Sequence, residues 1–256
     1  MTIACPGRLV AIASGKGGVG KTWLAISLAH ALSKSGRRVL LFDADLGLAN
    51  VDIQLGLNPD RDLSSVLAGT ASLRDCVLTY AAGGFDLLAG RSGSGTLGSI
   101  APAALDGVLD ALRAEAARYD VILLDLGAGV DRAVRRMTAF ADELLVVATD
   151  EPTSLTDAYA VLKLHAGDRP GGPARIVVNQ AANRQAGERT YETLRRACAA
   201  FLKFEPLMAG MIRRDDRVPD AIRRQALLLT RYPTSRAAQD VEALAAELSK
   251  GHRCPV

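Results

Sequence analysis

The sequence predicts one doubly wound α/β domain, a mostly parallel sheet with helices on both faces, and three observations predict it. Short runs rich in Val, Ile and Leu alternate with longer stretches of 3.6-residue periodicity. Most of the short runs are near-continuously apolar, as strands buried on both faces must be. A glycine-rich loop follows the first run directly and opens the first helical stretch. Strand–helix alternation of this kind implies parallel strands joined by right-handed crossovers.

Strands are expected at residues 9–13, 38–42, 85–88, 121–124, 144–148, 175–178 and 207–211, and helices at 23–35, 102–118 and 188–201. The Gly/Pro-rich stretch 165–173 reads as a loop between a helix and a strand, too short to link domains. No internal repeat is visible, so residues 1–256 are taken as one domain with a core of about 8–249.

Composition narrows the classes. The chain of 256 residues is 49% hydrophobic with 24 Gly and 10 Pro, which excludes disorder and collagen-like repeats. No apolar run reaches the ~20 residues of a bilayer span, and the first residues lack a secretory pattern, so a cytoplasmic protein is expected. Cys5, Cys76, Cys198 and Cys254 are too scattered for a zinc or iron–sulfur cage and read as reduced thiols. The net charge is +3, yet 25 of 31 basic residues are Arg, clustered at Arg132/Arg135/Arg136, Arg195/Arg196 and Arg223/Arg224. Such clusters serve either as solvated helix faces or as contacts to an acidic partner or nucleic acid.

The chemistry starts at Gly15-Lys16-Gly17-Gly18-Val19-Gly20-Lys21-Thr22, which satisfies G-x-x-x-x-G-K-[ST] between a strand and a helix. Glycines let backbone N–H groups converge on phosphate oxygens, and the helix N-terminus adds its positive dipole end. Lys21 is expected at the β- and γ-phosphates and the Thr22 hydroxyl on Mg²⁺. Asp43 and Asp45 end a strand at i and i+2, so both can project where a sheet meets its ligand crevice. In Val121-Ile122-Leu123-Leu124-Asp125 four apolar residues are closed by an acid expected to hold Mg²⁺ through water. The second Gly-rich run, 93–98, has no Lys-Thr and reads as a connection.

Lys16 is superfluous in an ordinary phosphate loop, because two cations near one triphosphate are costly unless the second answers charge elsewhere. With it, Lys16 to Thr22 resembles the deviant phosphate loop of the MinD/ParA ATPases, in the signal-recognition, MinD and BioD (SIMIBI) group of P-loop NTPases. The resemblance runs from about residue 9 to 248. It implies slow, Mg²⁺-dependent, partner-stimulated ATP hydrolysis in an ATP-dependent homodimer, with Lys16 reaching the partner's phosphates. It places Asp45 as the residue orienting the hydrolytic water, Asp43 near the metal, and Gly127-Ala128-Gly129 as a switch loop. By the same similarity Glu151 contacts the partner's nucleotide, while Asp157 pairs with Lys16 in the monomer. Both acids also fit a plain helix start. Asn179 matches the adenine-reading position, and 210–215, including Ile212, resembles the loop covering the base, although Arg213 stands where many relatives have Pro.

Within that family, Asp43-Ala44-Asp45-Leu46-Gly47-Leu48-Ala49-Asn50-Val51-Asp52, Glu151-Pro152-Thr153, Thr156-Asp157-Ala158-Tyr159 and Tyr232-Pro233 resemble the flagellar-number regulators FlhG, FleN and YlxH. This implies a flagellar transcription activator and an SRP-type GTPase as partners, with contact at the membrane or cell pole. The residues before the first strand lack the Gln-bearing basic helix of those relatives. The apolar stripe Val241, Leu244, Ala245 and Leu248 sits among Asp240, Glu242 and Glu247, which favours packing on the domain over a membrane surface. Competing readings are a ParA-like ATPase binding DNA through the Arg clusters, a MinD-like division-site ATPase, a ligase or amidase without any visible nucleophile pair, and an iron protein without flanking cysteines.

Overall fold

The computed structural model describes residues 7–90 and 100–250; Cys5, Cys254 and the stretch 93–98 lie outside them. The first strand, β1 (Arg8–Ser14), occupies the middle of an eight-stranded sheet and is buried along almost its whole length. It pairs in parallel with β5 (Val121–Ala128) on one side and β6 (Glu143–Ala148) on the other. Beyond β5 come β2 (Val39–Ala44), β4 (Phe85–Leu88) and β3 (Val77–Tyr80); beyond β6 come β7 (Ala174–Ala181) and β8 (Leu207–Arg213). The chain therefore moves to one side of β1 after its first strand and to the other side after its fifth, which opens a crevice at the carboxyl ends of the central strands.

All seven expected strands are present. The eighth, β3, pairs antiparallel with β4 through a hairpin containing Gly83 and Gly84. It escapes a periodicity search because an edge strand has little to bury: its middle residues, Leu78 and Thr79, are exposed. Two apolar layers enclose the sheet. One holds α4 (Pro102–Glu115), α5 (Arg132–Phe140), α6 (Pro152–Asp168) and α7 (Arg184–Leu202). The other holds α1 (Lys21–Lys34), α8 (Arg217–Arg223), α9 (Leu228–Arg231) and α10 (Arg236–Lys250). The short helices α2 (Val51–Leu55) and α3 (Leu63–Leu67) add Val51 and Leu55 to the second layer and Leu63 to the first. Helix α6 runs to Asp168, into the stretch expected to be a loop.

Helix α10 lays Val241, Leu244, Ala245 and Leu248 against β8 and α1, as its acidic exposed face predicts. Trp23 packs on the inner side of α1. Cys76 and Cys198 are free and buried. Among the described residues, no helix is long and apolar enough to cross a membrane.

The Arg clusters are largely neutralised. Arg135 pairs with Asp168, Arg136 with Asp106, Arg195 with Glu192 and Glu205, Arg196 with Glu192, and Arg223 and Arg224 with Asp220. Exposed pairs of this kind contribute ~0–1 kcal/mol each. They lower the net positive charge of these helix faces, although pairs so exposed exchange readily.

Phe42, fully buried at the centre of β2, should set the stability of the sheet. Phe42→Ala is expected to lower the unfolding free energy by about 3–5 kcal/mol in urea denaturation. A change under ~1 kcal/mol would mean that the layer collapses around the cavity.

Candidate functional site

The loop from Gly15 to Gly20 leaves the end of β1 and enters α1. Helix α1 has Gly20 as its N-cap and no side chain capping it. Its first N–H groups therefore have no intrahelical acceptor and face outward as donors. Gly20 lies at φ 86°, and a Cβ there would stand 2.6 Å from Asn179 Nδ2. Both the backbone conformation and the close approach exclude a side chain. Gly15 is closed off differently, because a Cβ would strike the backbone of Asp157. Thus Asp157 contributes packing against the loop.

Asn179, buried at the end of β7, donates from Nδ2 to the carbonyl of Val19 at 2.7 Å and accepts from the N–H of Gln180. Here the residue expected at the adenine braces the phosphate loop. Gln180, at φ 56°, donates to the Gly18 carbonyl at 3.4 Å. Sequence gave no signal for either brace, since both bridge residues about 160 positions apart. On the other side, the Gly129 N–H donates to the Ser14 carbonyl at 2.9 Å, tying the expected switch loop to β1.

Three carboxylates approach the loop, in different states. Asp43 is buried, and its oxygens accept N–H groups of Asp45 at 3.3 Å and of Asn50 and Val51 at 2.9 Å. Burial, followed by the nearby charge of Asp125, pushes it up to about 7. In this structure Asp43 caps backbone, and three N–H groups take most of its acceptor capacity. Asp125, also buried, is pushed by burial up to about 6, opposed by a hydrogen bond from Thr22 and the charge of Lys21. Its Oδ1 has no partner. Asp45 is half-buried and accepts the N–H groups of Gly47 and Leu48 at 3.1 and 2.9 Å. A Cβ on Gly127 would come within 3.2 Å of its carboxylate, so Asp45 faces the end of β5.

Among the described residues no group of three or more His, Cys, Asp or Glu could hold a metal alone. Mg²⁺ does not need one, since it is commonly held by one or two protein oxygens together with substrate phosphates and waters. The orphaned Asp125 Oδ1 beside the Thr22 hydroxyl is a donor set that fits it.

Lys16 forms an ion pair with Glu151, the N-cap of α6, and donates to Thr153 Oγ1 at 3.0 Å. Asp157, the monomer partner that the resemblance implied, is therefore replaced by Glu151, six residues earlier on the same segment. Lys16 holds Glu151 below the usual carboxylate range, with Arg214 adding to the effect. Ile212, grouped with the base-covering loop, is buried in strand β8 against the α1 layer. The strand continues to Arg213, whose guanidinium and N–H engage Asp240 at 2.8–2.9 Å. Any loop over a base therefore begins after Arg213.

The profile of the CobQ/CobB/MinD/ParA nucleotide binding domain family matches residues 10–228. The chain is 38% identical to the antiactivator FleN of Pseudomonas aeruginosa over 94% of its length and 85% of that protein. It is 30% identical to the flagellum site-determining protein YlxH of Helicobacter pylori over 93% of its length and 80% of that protein. The septum site-determining protein MinD of Pyrococcus horikoshii, solved with Mg-ADP, superposes with a TM-score of 0.80 at 25% identity, covering 95% of this chain and 96% of that one.

Gly20→Val should drive the loop out of its left-handed conformation, which costs a β-branched residue roughly 1–3 kcal/mol, and weaken nucleotide binding about tenfold or more. Isothermal titration with Mg·ATP reads this directly, and an unchanged affinity would show that the loop tolerates a side chain there.

Proposed function

The chain belongs to the CobQ/CobB/MinD/ParA nucleotide-binding family, and on that premise we propose that it is an ATP-driven dimerisation switch that regulates flagellar number or placement through protein partners. The observation that carries this reading is the position of Lys16. It stands in the phosphate loop, yet its ammonium is paired with Glu151, an acid whose side chain is 60% exposed. A solvent-exposed ion pair is cheap to break. Lys16 is thus available to a triphosphate held by a second copy of the chain, where it neutralises charge in the manner of an arginine finger.

The nucleotide phosphates are bound by the N–H groups of the loop and by Lys21. Mg²⁺, when bound through Thr22 and Asp125, offsets charge on the β- and γ-phosphates. Asp45 orients the attacking water beside Gly127. The Gly127–Gly129 stretch, tied to Ser14, follows the state of the γ-phosphate. Asn179 keeps the loop in register and presents its remaining amide capacity to the base. Similarity to FleN and YlxH supports the flagellar role, with a transcription activator as the principal partner and an SRP-type GTPase as a second. Similarity to MinD supports ATP and Mg²⁺ as ligands. The internal pairing of the Arg clusters favours this reading over DNA positioning.

Asp45→Ala should bind ATP and accumulate as a dimer, whereas Lys16→Ala should bind ATP and remain monomeric; light scattering with nucleotide distinguishes them. Hydrolysis at the unmutated rate in the first, or an ATP dimer in the second, removes the assigned role. A pull-down from lysate with the Asp45→Ala protein should recover a flagellar activator, and recovery of chromosomal DNA instead would replace the flagellar reading. Trp23, one residue beyond Thr22, should report Mg·ATP by a change in fluorescence, and a silent titration would place the nucleotide elsewhere.

A further inference from the structure

Where β8 ends, the chain turns through Arg214, Asp215 and Asp216 into α8. Facing that turn is the link from α9 to α10, from Tyr232 to Ser235. Between them lies an open hollow of about 610 Å³ into which Arg214, Arg217, Arg231 and Arg236 converge around Tyr232. Its walls are cross-tied. Arg213 clasps Asp240 of α10. Asp215 accepts the N–H of Arg217 at 2.9 Å and that of Ala237 at 3.2 Å, spanning both sides. The guanidinium groups of Arg217 and Arg231 lie 4.9 and 5.3 Å from the centre of the Tyr232 ring, which holds two cations in place.

Arg231 is answered by Asp220. Arg214, Arg217 and Arg236 are not: among the described residues they form no ion pair, as is also true of Arg132 on α5 and of Arg184 and Arg189 on α7, but Arg214, Arg217 and Arg236 line one hollow. Set beside the carboxylates of Asp215 and Asp216, the arginines of this cross-tied hollow leave it with an excess of positive charge. The positive end of α10 adds to the field, although its first N–H groups are already taken by Asp215 and Ser235.

We propose that this hollow docks an acidic peptide segment of a protein partner, whose carboxylates pair with Arg214, Arg217 and Arg236. Arg–carboxylate pairing is charge-assisted and often bidentate, so few contacts suffice. A duplex is the poorer occupant, because a strongly salt-dependent DNA binder neutralises roughly 6–10 phosphates. Here only three arginines are unpaired, and the exposed carboxylate of Asp216 sits on the rim. That acid can accept a peptide N–H, a donor that a phosphate backbone does not offer. Arg214 lies close enough to act on Glu151, so the hollow shares a face with the Lys16–Glu151 pair. The inference rests on the partner-regulated switch for its meaning, but its test uses no nucleotide.

The test is fluorescence anisotropy on the full chain with two labelled probes, a hexaglutamate peptide and a 20-bp DNA duplex, at low and at physiological salt. The peptide should bind, more weakly as salt rises. The double variant Arg217→Glu/Arg236→Glu should weaken it tenfold or more while keeping the circular dichroism spectrum and affinity for Mg·ATP. The milder Arg236→Ala, at an exposed position, should cost about threefold. Absence of peptide binding, equal binding by the variants, or a duplex that displaces the peptide through the same arginines would overturn the proposal. If ATP fails to dimerise the chain while the peptide still binds, the switch falls and the docking site stands.

Discussion

Backbone N–H groups that face outward with no protein partner are the constraint on which this structure turns. Such donors at the start of α1 are costly unless something anionic answers them, and they serve phosphate only if the loop before them cannot fold over to satisfy them itself. The surrounding residues prevent that. Gly20 holds a left-handed conformation under the Asn179 amide, which fixes the Val19 carbonyl, and Gln180 reaches the Gly18 carbonyl from the same strand end. From the other side the Gly129 N–H is fastened to Ser14. The cradle is thus held by the strands on both sides of β1 and does not depend on its own glycines alone.

The acids near the cradle illustrate how burial divides similar residues between different tasks. Asp43 and Asp125 are both buried and both raised by desolvation, and each also feels a neighbouring carboxylate. Their hydrogen bonds separate them. Asp43 receives three backbone N–H groups and becomes the brace that turns the chain from β2 toward α2. Asp125 keeps an oxygen without a partner, which leaves it ready for a cation. Asp45, closer to solvent, is only half-buried and caps the N–H groups of Gly47 and Leu48.

Charge follows the same economy. A chain with 25 arginines and a net charge of +3 ties many of them to acids on its own surface. Glu143 alone answers Arg8 and Arg175, and Asp220 draws in Arg223, Arg224 and Arg231. Of the cations not fixed in firm pairs, two sets bear on ligands: Lys16 in a pair that exchanges easily, and the arginines around Tyr232. Both lie toward the carboxyl ends of the strands, where a parallel sheet gathers its ligands.

Much of this protein was legible in its sequence. Seven strands, the main helices, the phosphate loop, the acid after the apolar run of β5 and the apolar stripe of α10 all follow from periodicity and short-range spacing, because burial on both faces and a strand–loop–helix junction impose local patterns. The hairpin strand β3 had only the Gly83-Gly84 turn to announce it, since an edge strand buries little. Tertiary structure alone decided that Glu151 and not Asp157 holds Lys16, that Asn179 braces Val19, that Asp43 caps backbone, and that Ile212 lies inside a strand. Those contacts join residues far apart in the chain, and their selection depends on distances of a few tenths of an ångström between elements already folded. Residue type and spacing determine which groups can do chemistry; packing determines which of them are left free to do it.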